Sequence, residues 1–520
     1  MNKSSFFVVI IMCIFVFLLV QCNNGNTKSG TDNDSTKLKP ASAVLLGKGP
    51  EGMTYVPADT TIFEGPGVIQ KWVDNFDTAK IDEHAWKLWG GITALTDQDY
   101  PSSCVAEKDK ITPVKLAKFT TWWSEFDVYN APGTPNPGAG DGIDDGTCPN
   151  PVFPFHLARQ ASAVPGQNTP DAHPGDVLSF NKYTQEFKDY VADNKLYYLK
   201  TLTDLYKAKI DSIPQTFDPK KSMMLKPTFI FAKKDKPVLI PYWKGPGMTV
   251  AGTTDPHKPV STTWVQWVLF NPTNVPVKPG TPFTTQYQSA NGSLRDTTLT
   301  QYETVGLEHF YYLPLTEKNI KYLQGGNVFT VGGLNLKDLK PGDLSLMVGC
   351  HVTTIEFFND WTWQTFWWSP HPAKTPPASA NVKAPFNHYD MEQSYYMIGP
   401  DKKPFISQNP YLEPSIIAPI VRIDPFSQGM GVRSNCMSCH HSAGFPTPNL
   451  DPSPAHMLIA SYIGAGQVNS NNAIFNVGLK QKRVNTNFLW TLILLKQAAG
   501  FDFNPAKSVD SLQIYLNAKK

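Results

Sequence analysis

Cys436-Met437-Ser438-Cys439-His440 places two thiols three positions apart with an imidazole directly after them. Thiols so spaced can add to the two vinyl groups on one edge of a porphyrin. The histidine that follows reaches under the ring and offers a nitrogen to the iron. In a chain with 7 Cys and 11 His among 520 residues, this arrangement arises by chance about once in five hundred sequences. The same residues could form a CxxC disulfide or half of a zinc site, but no second CxxC exists to complete a zinc set. The expected cofactor is therefore one haem c, held as thioethers by Cys436 and Cys439 with His440 as the proximal iron ligand.

An iron so held has room for one further axial group. Met457 lies seventeen residues past His440 and is the leading choice for the distal position. Met430, upstream of the motif, and His456 stay open as alternatives. His441 is tethered beside the proximal ligand and is a poor one. For each, the plain reading is core packing for methionine and a hydrogen-bonding role for histidine.

A second cluster runs from Gly349 to Glu356 and includes Cys350 and His351. It precedes Trp361, Trp363, Trp367 and Trp368, four indoles in eight residues. Each indole carries ~200 Å² of largely apolar surface that is costly to leave wet. Two readings stand side by side. The segment can be an ordinary packed β-core, with His351 satisfied by a backbone carbonyl. Alternatively the aromatic wall covers a haem face, with His351 and Trp363 in the haem pocket and His351 or Glu356 supplying a distal ligand, an acid–base group or a propionate contact.

The N-terminus bears on the compartment. Met1, Asn2 and Lys3 make a short basic start, and Phe6 to Val20 is an apolar run of fifteen residues. A membrane-spanning helix needs about 20, whereas this length suits a signal-peptide core. Leu19-Val20-Gln21-Cys22 follows and resembles a bacterial lipobox, with Gln21 larger than the usual residue there. Lipidation at Cys22, plain secretion and an uncleaved anchor all place the body outside the cytoplasm, where bacterial c-type haem is attached. The expected location is the cell envelope, as a membrane-anchored lipoprotein that is periplasmic or surface-exposed.

A net charge of +2 supplies no strong field for nucleic acid, and no nucleic-acid module is recognisable. Among the remaining cysteines, Cys104 and Cys148 sit in loop-like sequence and could pair as a disulfide in an oxidising compartment. Cys350 lies in an apolar run and reads as a buried free thiol.

The elements that must position these groups suggest an α+β fold. Residues 1–22 form the signal peptide and 23–57 a flexible tether. Residues 58–215 read as a loop-rich helical part. One helix is expected over Asp74 to Gly90, ended by Gly90-Gly91, and one over Tyr183 to Lys209. Residues 216–375 read as a β-sandwich-like region, with strands near 227–232, 237–240, 262–270 and 344–353. Residues 376–520 form the cytochrome c haem-binding region, with helices expected over 454–463, 487–499 and 508–516. The 45 prolines favour short strands and ordered loops.

Taken together, the chain resembles large exported bacterial monohaem cytochrome c family proteins of lipoprotein type. The resemblance is carried by the CxxCH and the lipobox, by Pro241 to Pro246, His351 to Thr354 and the Trp-rich stretch, and by Asn409 to Glu413. It implies haem binding and single-electron transfer with redox partner proteins and supplies no substrate. The alternative is a haem-dependent oxidoreductase whose substrate cavity is built by the β-rich region, since a small carrier needs only about a hundred residues. A third reading is a glycan- or partner-binding module with haem secondary. No GxSxG, HExxH or dinucleotide fingerprint marks another catalytic centre.

Overall fold

The computed structural model describes residues 54–100, 111–129, 178–179, 181–219, 221–243, 266–273, 275–288, 294–317, 319–320, 330–331, 334–357, 360–395, 407–411, 431–434, 437, 440, 443–445, 484–486 and 489. Helix α1 (Pro66–Asp74) begins with Pro66 in its first turn, where a missing N–H costs nothing. Asp77 caps α2 (Thr78–Thr93) by accepting from the Lys80 N–H. Between them Phe76 takes a positive φ of 51°, which turns the chain. Ile81, Ala85, Leu88 and Ile92 form the buried stripe of α2, at the spacing of one helical face.

The expected stop at Gly90-Gly91 is not where α2 ends. Both glycines lie inside the helix, and close packing explains them. A Cβ on Gly90 would sit 1.8 Å from the Ala380 carbonyl oxygen, and one on Gly91 would sit 2.7 Å from Ile62. The glycines admit neighbours rather than break the helix.

Strands β1 (Leu95–Tyr100) and β2 (Val114–Ala117) pair antiparallel. Then come β3 (Trp123–Ser124), α3 (Glu125–Tyr129), β4 (Leu178–Ser179) and β5 (Lys182–Tyr183). The single helix expected over Tyr183 to Lys209 is two, α4 (Gln185–Asp193) and α5 (Leu199–Lys207). The break falls at Lys195, with φ 51°. The chain then turns β-rich, with β6 (Met223–Ala232), β7 (Val238–Tyr242), β8 (Gln266–Phe270), β9 (Phe283–Gln288), β10 (Leu294–Leu299) and β11 (Glu303–Val305). Strands β12 (Tyr312–Pro314), β13 (Thr330–Val331), β14 (Leu334–Asn335), β15 (Leu344–Phe357), β16 (Asp360–Trp368) and β17 (Tyr389–Gln393) follow. Short strands β18 (Ser407–Pro410), β19 (Gly431–Ser434), β20 (Gly444–Phe445) and β21 (Val484–Asn485) close the series.

The centre is an eight-stranded sheet in the order β17-β16-β15-β6-β5-β3, with β12 added on β15 and β4 on β6. All its pairings are antiparallel. The stretch read as helix and loop thus contributes β3 and β5 to the same sheet as the β-rich part. A three-stranded sheet, β11-β8-β7, shares its core. There Phe270 meets Phe310, and Phe310 stacks on Trp368 at 4.2 Å between ring centroids. Helices lie beside antiparallel sheets, so the architecture is α+β. Cys350 is a free, buried thiol in this core, and burial raises its pKa well above the ordinary value.

The helices expected over 454–463 and 508–516 lie outside the described residues, as does all of 487–499 except Leu489. Among the described residues no helix is long and apolar enough to cross a membrane.

Candidate functional site

Strand register decides which side chains can act together. In the β15–β16 ladder His351 faces Thr365 and Thr353 faces Trp363. Residues directly opposite share a sheet face, as do residues two apart on one strand. His351, Thr353, Trp363 and Thr365 therefore project from one face. The adjoining strands extend the row. Lys226 of β6 lies opposite His351, and Glu392 of β17 lies opposite Thr365. A Lys-His-Thr-Glu row thus crosses four strands. His351 Nδ1 is 3.1 Å from Thr365 Oγ1, and both residues are buried, while Lys226 and Glu392 keep part of their exposure.

Trp363, one step along the same face, meets the CxxCH motif. Its ring lies 4.2 Å from that of His440, tilted by 46°. Met437, the residue after Cys436, is completely buried, in a cluster with Trp361, Trp363, Phe445, Val484 and Leu489. His440 keeps partial exposure, and both Met437 and His440 are helical. Backbone bonds then fix the chain beyond the motif. Ala443 donates to the His440 carbonyl, Thr486 to Ala443 and Ile213 to Asn485. The last of these ties β21 to the segment that follows α5.

The tryptophan run divides between two environments. Trp361 and Trp363 join the cluster around Met437. Trp367 packs on Trp243 at 5.0 Å, and Trp368 donates from Nε1 to the His309 carbonyl. The packed-core reading holds for the C-terminal half of the run. The N-terminal half is the part that lies at His440.

Glu356 is not on this face. It is fully buried on the α2 side, where Oε1 accepts from the Glu64 N–H at 2.6 Å and lies 3.2 Å from His84 Nε2. A bulge between Thr354 and Phe357 interrupts the ladder at this point, and Glu356 follows Thr354 to the helical side. The role beside His351 that its sequence proximity suggests is therefore withdrawn.

Cys436, Cys439, Met457, Met430 and His456 lie outside the described residues, as do Cys22, Cys104 and Cys148. Among the described residues no three His, Cys, Asp or Glu side chains converge on a metal-sized site. Sequence reasoning did not find Lys226, Thr365 or Glu392. Their only sequence signal was strand alternation, and their association with His351 comes from pairing between distant segments. No protein-family model matches the sequence, and comparison with curated proteins and with solved structures gives no match.

Proposed function

We propose that the protein is an exported c-type cytochrome that carries one covalent haem c and passes single electrons in the cell envelope. The observation that carries this reading is the indole of Trp363 against His440, 4.2 Å from ring to ring, directly after a CxxC pair. The residues suit such a group. A porphyrin has wide apolar faces, and His440 is set at the margin of a dense aromatic cluster with some solvent access retained. When bound, the haem supplies an Fe(III)/Fe(II) couple.

The chain's own groups have distinct tasks in this proposal. Cys436 and Cys439 hold the porphyrin edge, and His440 gives the iron an imidazole nitrogen. Trp363 restricts rotation of that imidazole, and burial of Met437 pins the motif to the sheet. Met457 is the proposed distal ligand. Cys22 carries the lipid that anchors the protein to the membrane, and a Cys104–Cys148 disulfide braces the N-terminal part. The partners are redox proteins at the envelope. One observation favours the second reading, a haem-dependent oxidoreductase. The row Lys226, His351, Thr365 and Glu392 supplies proton-transferring and charged groups on the face that holds Trp363.

The test is chemical. Haem should remain on the denatured polypeptide through acid–acetone extraction and give a one-haem pyridine haemochrome, and Cys436→Ser with Cys439→Ser should abolish both. Porphyrin that washes out of the wild type refutes the proposal.

A further inference from the structure

We infer that Trp363 and Thr353 hold one carboxylate, a propionate of the proposed haem, through the Trp363 Nε1–H and the Thr353 hydroxyl. This rests on the haem reading above and names the two residues that seat the polar edge of that group.

An indole N–H in a protein interior normally finds an acceptor. On the α2 side of the sheet two of them do. Trp89 donates to the Phe386 carbonyl at 3.1 Å and Trp368 to the His309 carbonyl at 2.9 Å. On the His440 side, Trp361, Trp363 and Trp367 bury the same nitrogen without a hydrogen-bond partner. Two of these three have an aromatic substitute. Trp361 and Phe217 meet edge to face at 5.4 Å, and Trp367 and Trp243 do so at 5.0 Å. In such arrangements a ring face can receive an N–H. Trp363 differs, because the ring beside it is the imidazole of His440, tilted by 46°.

Thr353 lies directly opposite Trp363 in the β15–β16 ladder, and its hydroxyl is also buried without a partner. The two residues are 7% and 3% exposed. Side chains directly opposed across two strands have Cβ atoms about 5 Å apart, so the two donors adjoin. A carboxylate accepts on both of its oxygens and can take one bond from each. The charge nearby also favours an anion. Lys226, across from His351, is diagonal to Thr353. Glu392, across from Thr365 on β17, bounds the site on its other flank.

Polarity along β16 follows that of a haem. Trp361 and Trp363 share an apolar cluster with Met437, Phe445, Val484 and Leu489. Beyond Trp363 in the other direction come Thr365 and His351, with Lys226 alongside. Trp363 and Thr353 stand where the character changes. A porphyrin has the same gradient: the vinyl edge that thiols attack is apolar, and the edge across the ring carries the propionates. Cys436 directly precedes Met437 in sequence, so the apolar end suits the thioether edge and the donor pair suits the propionate edge.

The experiment uses the holoprotein, labelled with ¹⁵N-tryptophan, in buffer free of carboxylates. In the ferrous state the Trp363 indole N–H should resonate downfield, as a hydrogen-bonded proton does. Thr353→Val should shift the propionate bending band in the resonance Raman spectrum while the iron–histidine band stays unchanged. It should also lower the reduction equilibrium constant several-fold, because a carboxylate that loses a donor stabilises the ferric charge more. Trp363→Phe should shift the same propionate band. Thr298→Val, at the exposed Thr284–Thr298 pair, should move none of these signals. A propionate band that ignores both variants, or a Trp363 N–H that resonates as unbonded, overturns the assignment. Signals that change only when acetate is added give the site to a dissolved carboxylate and overturn it as well. The N–H measurement is made on wild type, so it decides even where a variant fails to fold. Absence of covalent haem overturns the function and this assignment together.

Discussion

On the α2 side of β15 and β16, aromatic rings stack and polar groups bond to one another. Trp89 lies parallel on Phe366 at 4.2 Å, meets Tyr389 and donates to the Phe386 carbonyl. On the His440 side the same strands present His351, Thr365 and Trp363, and the flanking Lys226, Glu392 and His440 retain some exposure. One pair of strands thus separates a closed face from a partly open one. A two-residue period makes this possible, because each strand can present different chemistry on either side. The closed face fixes where the backbone lies, and the other face carries the polar row Lys226, His351, Thr365 and Glu392 together with Trp363.

The largest effect that would test this contrast is on the closed face. Trp89→Ala should lower stability by about 3–5 kcal/mol, read as the denaturant midpoint, and, if the proposed haem is bound, leave its absorption spectrum unchanged in the fraction that stays folded. The opposite is expected of Trp363→Phe. It should cost less than Trp89→Ala, because an aromatic ring still fills most of the space, yet, if the proposed haem is bound, alter its absorption spectrum and potential, because the group against His440 changes. If Trp363→Phe proves as destabilising as Trp89→Ala and spectrally silent, the two faces do not differ as described.

The smallest effect concerns pH. Burial, and next the neighbouring His309, lower the pKa of His388 below its ordinary value. The unfolded chain therefore binds a proton at this residue before the folded one does as pH falls. Stability should decline as pH drops through about 6.5, level off below the folded value and be regained above it. His388→Gln should flatten that part of a stability–pH curve measured by thermal melting. A variant curve that keeps the full slope assigns the effect elsewhere.

How much of this could be read beforehand depends on the range of the interactions. The strands near 227–232 and 344–353 were legible because β-branched and aromatic runs bounded by turn residues have few alternatives. Helix α2 was legible by its apolar spacing but not by its end. Glycine signals a helix stop only when nothing else needs its bare backbone, and the Ala380 carbonyl that needs it lies almost three hundred residues away in sequence. The break at Lys195 had no glycine or proline to mark it. At the site, CxxCH declared itself locally. That Trp363 rather than Trp367 or Trp368 would meet His440 depended on register. Glu356 looked like a neighbour of His351 because the two are close in sequence. Strand alternation sets positions 351 and 356 on opposite faces, and Glu356 shares the side of Thr354, two positions before it.

The bond from Glu64 N–H to Glu356 joins residues 292 positions apart, and His84 reaches Tyr395 across 311. Such separation governs the time course of folding. Helix α2 emerges early, with Trp86 and Trp89 on its apolar side, but the strands that cover them run from residue 344 to 393. Until that length of chain is available, α2 has no completed partner surface. Closing loops of this size is entropically demanding before any contact rewards it. The nascent protein therefore stays unfinished along most of its length, and a greasy helix is exposed to wrong partners until the last strands arrive.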